Sequence, residues 1–199
     1  MKKRILILTI GIFTLAALYS FTNMGIFNTE KQKYTVVHEG KGYEIRYYPP
    51  AVLATVYSTA KSYRELANPG FRKIANYIFG GNATGTKIAM TAPVHMDMSS
   101  ERTSMSFVMP EKYDLDNLPK PLSDEIHLQK TGGEYVAAVS FGGYANDSDI
   151  KYHSARLAEL LRENRIEAIG PYRYLGYNAP YQFIGRKNEV IVRVSWKKN

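Results

Sequence analysis

From Ile88 to Met98 the chain alternates. Ile88, Met90, Ala92, Val94, Met96 and Met98 form an unbroken apolar row; Lys87, Thr91, His95 and Asp97 share the other row with Ala89 and Pro93. Period two marks a strand with one buried face. Pro93 cannot donate to a ladder, so it marks an edge, a bulge or a bend. Met105, Phe107 and Met109 alternate with Ser104 and Ser106 beyond the polar turn Ser99 to Thr103. The two runs predict a hairpin with a methionine-rich inner face. Methionine adapts to irregular partners, so such a face fills a core or lines a ligand cleft.

The same reading extends along the chain. Tyr34 to His38, Tyr43 to Tyr48 and Ala51 to Tyr57 predict strands, separated by Glu39-Gly40-Lys41-Gly42 and Pro49-Pro50. The period then changes. Ser62 to Ala67 predicts a helical turn that Asn68-Pro69-Gly70 interrupts, and Phe71, Ile74, Ala75 and Ile78 follow at helical spacing up to Gly80-Gly81. Residues 111–124 are rich in turn formers and read as a connector. Glu125 to Gln129 and the alternating Tyr135, Ala137, Val139 and Phe141 predict two more strands. Asn146, Asp147 or Ser148 caps a second helix with the stripe Ile150, His153, Ser154, Leu157 and Leu161. Gly170-Pro171 ends that region, and strands over 173–177 and 190–196 complete the chain.

Each half thus runs through two or three strands, a helix and two strands. The order predicts an α+β fold built as a pseudo-twofold duplicated unit. Two helices cannot cover both faces of so large a sheet, so a curved, partly closed antiparallel sheet with helices outside is expected. A cleft where the halves meet is a common place for ligands.

Residues 1–27 stand apart from this domain, which spans 28–199. Lys2-Lys3-Arg4 precedes a predominantly apolar run from Ile5, extended weakly to Phe27. A membrane-spanning helix needs about 20 such residues, and no clean small-x-small cleavage site follows. The expectation is an uncleaved hydrophobic anchor helix, with secretion after cleavage at Ser20 as the alternative. The basic cluster stays cytoplasmic, so the domain faces the periplasm or cell surface. The formal charge of +8 becomes +5 once Lys2, Lys3 and Arg4 are set aside. Lys and Arg are scattered, which suits solubility and points to no nucleic-acid partner. The absence of cysteine excludes disulfides, thiolate metal sites and cysteine nucleophiles.

Several motifs occur in order: Tyr43-Glu44-x-Arg46, Tyr77-Ile78 with Gly80-Gly81-Asn82, Lys87 to Val94, Phe107-Val108-Met109-Pro110, Phe141-Gly142-Gly143-Tyr144, Gly176 to Pro180 and Gly185 to Val190. Over residues 43–196 this set resembles the SOUL family of haem-binding proteins. The resemblance implies a distorted eight-stranded antiparallel β-barrel with two helices, similar to effector-binding domains of some bacterial transcription regulators. It also implies an apolar surface cleft holding haem or another tetrapyrrole non-covalently.

Haem is a flat apolar disc with two carboxylates and an iron, so its site needs an apolar slot, cations and optionally an axial ligand. By resemblance the slot falls on Phe71, Ala75 and Ile78, with Met90 and Tyr177 as additions. Arg72, Lys73 and Lys87 are the propionate partners; Asn68 and Asn76 are neutral where family members carry basic residues. The family shares no obligatory axial histidine. On position alone, His153 and His38 rank ahead of His95, with methionine and tyrosine as further ligand types. No catalytic constellation stands out, and Arg186-Lys187-Asn188-Glu189 reads as a turn held by a local ion pair. The function expected is haem capture, transfer or buffering by a binding protein. The alternatives are an enzyme that removes the metal or degrades the ring, and a module for other amphipathic small molecules.

Overall fold

The computed structural model describes residues 29–98 and 102–197. The anchor expected over residues 5–27 lies outside them. No helix among the described residues is long and apolar enough to cross a membrane.

The strands are β1 (Glu30–Lys31), β2 (Thr35–Gly40), β3 (Tyr43–Tyr48), β4 (Val52–Ser58), β5 (Thr91–Ala92), β6 (Val94–Met98), β7 (Thr103–Val108), β8 (His127–Lys130), β9 (Glu134–Phe141), β10 (Ala168–Gly176) and β11 (Asn188–Val194); the helices are α1 (Tyr63–Ile78) and α2 (Asp147–Glu163). β1 and β5 form a short parallel pair. The other nine strands make one sheet in the order β2-β3-β9-β11-β10-β6-β7-β4-β8, and neighbouring strands run antiparallel throughout.

The duplicated order is visible in this topology. Outward from the central β6–β10 pair, the sequence β6-β7-β4-β8 on one side matches β10-β11-β9-β3 on the other. The first strand of each half crosses to the far half: β3 lies against β9, and β8 against β4. Eight strands fill this pattern and β2 adds a ninth. The closed barrel that the resemblance implied is not formed, because β2 and β8 end the order without pairing to each other. Both edges carry mostly exposed side chains, and such exposed, partly charged edges discourage further pairing.

The helices share one face of the sheet. Under α1, β4, β6 and β7 contribute Val52, Ala54, Val56, Met96, Met105 and Phe107. Under α2, β3, β9 and β11 contribute Tyr43, Ile45, Ala137, Val139, Val190 and Val192. Met96, Met105 and Met109 therefore serve as core, while Met90 and Met98 pack half-buried against it. The apolar row 88–98 is not one strand. Proline breaks the ladder at 93, β5 turns aside to pair with β1, and β6 begins at Val94. Part of the polar row is buried too: His95 lies on the helix-free face, and the Thr91 hydroxyl donates to the Val108 carbonyl.

Two breaks expected from proline and glycine are absent. α1 runs unbroken through Asn68-Pro69-Gly70. Pro69 lies on the exposed side. Buried Gly70 lets the helix approach the sheet so closely that an added Cβ would stand 3.3 Å from Met105. Packing of Leu66 and Ile74 holds both turns in place, which offsets the missing proline donor. Likewise β10 starts at Ala168 and passes Gly170-Pro171 through a register shift.

Candidate functional site

Ser62 starts α1. Its backbone is extended, and its hydroxyl accepts the Glu65 amide at 3.2 Å, satisfying an orphan donor of the first turn. From that start, residues four apart fall into ridges. Leu66, Gly70, Ile74 and Ile78 form the ridge that seats the helix, and all are buried. The neighbouring ridge is Tyr63, Ala67, Phe71 and Ala75. Its first three members are half-buried. The Phe71 ring lies 5.3 Å from Phe107, and Tyr63 meets Tyr174 edge-on at 5.2 Å. Met90 and Val94, also half-buried, pack against the same core. Tyr63, Ala67, Phe71, Met90 and Val94 thus form a half-open apolar margin around α1.

The expected slot residues separate on this geometry. Phe71 and Met90 belong to the margin, and Ala75 lies just inside it at 9 % exposure. Ile78 is 1 % exposed, so it offers no surface and serves as core. Tyr177 lies with the cluster on the opposite face of the sheet. Arg72 and Lys87 are exposed and make no ion pair among the described residues, whereas Lys73 is engaged by Glu125. Tyr63, Ala67 and Val94 were missed by sequence. Counting back by four from Phe71 reaches Ala67 and Tyr63, but Pro69 disguised the continuity.

The histidines separate too. His153 stacks on Phe141 at 4.0 Å and 11°, Phe141 lies 6.5 Å from Tyr174, and Tyr174 reaches Tyr63. This ring series ties His153 to the α1 margin. Burial lowers its pKa against the opposing charge of Asp149, which favours the neutral, ligating form. His38 is exposed on the edge strand β2, against Trp196 and Tyr43. It belongs to the far half of the sheet, so the structure does not bring it to α1. His127 packs beside Tyr57 on β8. His95 shares its Nε2 with the Gln32 side chain at 2.8 Å, and burial, with the Arg173 charge, pulls its pKa down to about 3.

The helix-free face holds a second polar assembly. Arg46 on β3 donates from Nη1 and Nη2 to the two Glu189 oxygens at 2.8 and 2.9 Å. Tyr177 donates to Glu189 Oε2 at 2.7 Å, Ser140 to Oε1 at 2.9 Å, and the Lys187 ammonium lies 2.9 Å from Oε1. Glu189 has 0 % exposure. Burial alone would raise its pKa, but the hydrogen bonds from Arg46, Tyr177 and Lys187 and the Arg46 charge hold it at about 2. Burial beside this carboxylate raises the Tyr177 phenol. The run 186–189, expected as a turn held by a local ion pair, does hold one between Lys187 and Glu189, but Asn188 and Glu189 already belong to β11 and the main partner of Glu189 is 143 residues away. With both oxygens engaged, this carboxylate leaves no donor demand for a ligand and reads as a fastener.

A shallow concavity of about 220 Å³ lies between residues 30–33, 49–52 and 108–114. It is smaller than the roughly 300–1,000 Å³ typical of ligand pockets. The ion pairs Lys33–Glu111 and Lys130–Asp114 occupy its walls. No cluster of three or more His, Asp or Glu side chains suited to a metal ion occurs among the described residues. The α1 margin, by contrast, presents five half-buried apolar side chains, with the exposed Arg72 and Lys87 on or beside the helix.

The family model described as SOUL heme-binding protein matches residues 29–193. Heme-binding protein 2 of Homo sapiens is 30% identical over 156 residues, covering 74% of this chain and 76% of the relative. Heme-binding protein 1 of Bos taurus is 29% identical over 155 residues, covering 74% and 81%. Among solved structures, the EcmrR C-terminal domain superposes with a TM-score of 0.58 at 10% identity, covering 81% of this chain and 98% of that one. At that identity the likeness shows the fold alone.

Proposed function

We propose, on the premise that this chain belongs to the SOUL heme-binding protein family, that its domain binds haem or a related tetrapyrrole reversibly at the α1 margin and passes it on. The half-open ridge Tyr63, Ala67 and Phe71 carries this reading. A helix that has already seated itself through Leu66, Gly70, Ile74 and Ile78 leaves a second apolar ridge without a full partner, and a flat ring gains by covering it.

The residues divide the work. Phe71, Ala67, Met90 and Val94 exclude water from one face of the ring. Arg72 and Lys87 pair with its carboxylates at the surface, where release stays easy because such pairs are weak. His153, on its Phe141 stack, is the candidate to approach the metal. The bound group supplies any redox or ligand-exchange chemistry. The chain supplies an apolar face and charge, which makes it a carrier rather than an enzyme. The further reading is that residues 5–27 anchor it, with the domain outside the cytoplasm; the apolar run behind Lys2-Lys3-Arg4 supports this.

The test is an absorbance titration of the full chain with haem. A saturable one-to-one change with a shifted Soret band is expected. Phe71→Ala weakens it several-fold, Arg72→Ala with Lys87→Ala weakens it less, and His153→Ala moves the band position. A linear, unsaturable response that Phe71→Ala leaves unchanged overturns the proposal.

A further inference from the structure

The connection between β10 and β11 turns the usual partition of side chains inside out. Tyr181, Phe183 and Ile184 are 68, 78 and 89 % exposed. The polar groups around them point inward. The Arg186 guanidinium donates from Nη1 to the Ala179 and Gln182 carbonyls, both at 2.8 Å, and stacks 4.1 Å over the Tyr144 ring. The Tyr144 hydroxyl donates to the Pro180 carbonyl at 3.1 Å. At the neck, the Lys187 amide donates to Asn178 Oδ1 at 2.6 Å. The tip is therefore held from inside, and its apolar side chains are displayed on a tied scaffold.

We propose that this tip dips into the interfacial region of a lipid bilayer. Three observations choose lipid over a protein groove. The most exposed side chains, Phe183 and Ile184, sit at the apex, as insertion requires. Tyrosines 144 and 181 stand beside them with ring and hydroxyl together, the side-chain type that settles at headgroup depth. Between Glu167 and Glu189 the chain carries no carboxylate, but it carries Arg173, Arg186 and Lys187. Arg173 is paired with Glu134, Lys187 with Glu189, and Arg186 is turned inward onto carbonyls, so the preference for an anionic lipid surface comes from the domain charge of +5. The contact depends neither on residues 1–27 nor on the ring-binding reading.

The test uses the full chain without haem, on vesicles of phosphatidylcholine and phosphatidylglycerol with brominated acyl chains. Phe183→Trp places a reporter at the tip. Leu122→Trp, at a position 71 % exposed in the 111–126 connection, is the control. Trp196, the one native tryptophan, is subtracted using the unchanged chain. The tip reporter is expected to shift to the blue and to be quenched several-fold more than the control, with the quenching lost when Ile184→Asp is added. Equal quenching at both positions overturns the proposal. So does a blue shift that appears without vesicles, because the tip would then be covered by protein.

Discussion

The two faces of the sheet solve burial differently. On the helix face near α1, apolar side chains do the work, and the second ridge of the helix remains half-open. On the helix-free face near β3, β9 and β11, a carboxylate with 0 % exposure is matched on both oxygens by Arg46, Tyr177, Ser140 and Lys187. Apolar packing is non-directional, so it tolerates an unfinished margin that a flat ligand can complete. A buried charge network is directional and must be complete, so it leaves nothing for a ligand to do. The candidate site therefore lies where the core is soft and unfinished, and the fold is fastened where the Glu189 carboxylate is matched on both oxygens.

Breaking the network should cost most. Arg46→Ala strands Glu189 and is expected to destabilise by about 3–5 kcal/mol, read as a lower denaturant midpoint. A loss below about 1 kcal/mol would mean that water replaces the guanidinium, and the contrast between the faces would fail. Within α1, Ile74→Ala should cost about 2–5 kcal/mol because Ile74 has 0 % exposure. Phe71→Ala should cost clearly less in stability but more in haem affinity. Equal stability losses at the two positions would place Phe71 in the core rather than at a binding margin.

Acid sharpens the comparison, since the charged groups sit on one face. The Glu189 pKa is held at about 2 from an ordinary 4.5, so its contribution is full above about pH 4.5 and is lost as pH falls toward 2. His95 is depressed to about 3 from 6.5. Below pH 6.5 the unfolded chain takes up a proton that the folded one refuses, so stability falls from there toward pH 3. His95→Gln should flatten the upper part of that acid profile, measured as denaturant midpoint against pH. An unchanged slope would remove His95 as its source. The smallest effect is expected at the helix start: Ser62→Ala should cost about 1 kcal/mol. It should leave haem affinity nearly unchanged if the seating ridge, rather than the cap, positions Phe71.

Local pattern carried much of this molecule. Period two located β3, β7 and β9, a β-prone run located β4, and of the three cap candidates Asn146 caps α2, with Asp149 completing a capping box. The failures have physical causes. Proline and glycine predict breaks, yet Pro69 and Gly70 sit inside α1 because tertiary packing overrides propensity. The alternation of 88–98 gave the faces of β6 but not the turning-aside of β5, which depends on β1 far earlier in the chain. Tyr177 was placed by family likeness near α1, but the hydrogen bond to Glu189 takes it to the other face. Arg46 and Glu189 each sit in a recognisable motif, but nothing local announces a bond across 143 positions.

The crossing of β3 and β8 has one more consequence. Each half of the chain lends its first strand to the other half and receives one in return. A single cut in the 111–126 connector would leave two pieces, each with a strand whose place is in the other and a gap that only the other fills. Neither is a finished object alone, yet together they carry every pairing of the sheet. Covalent continuity through the connector is thus expendable to the sheet, and two separately made fragments should find each other and rebuild the domain.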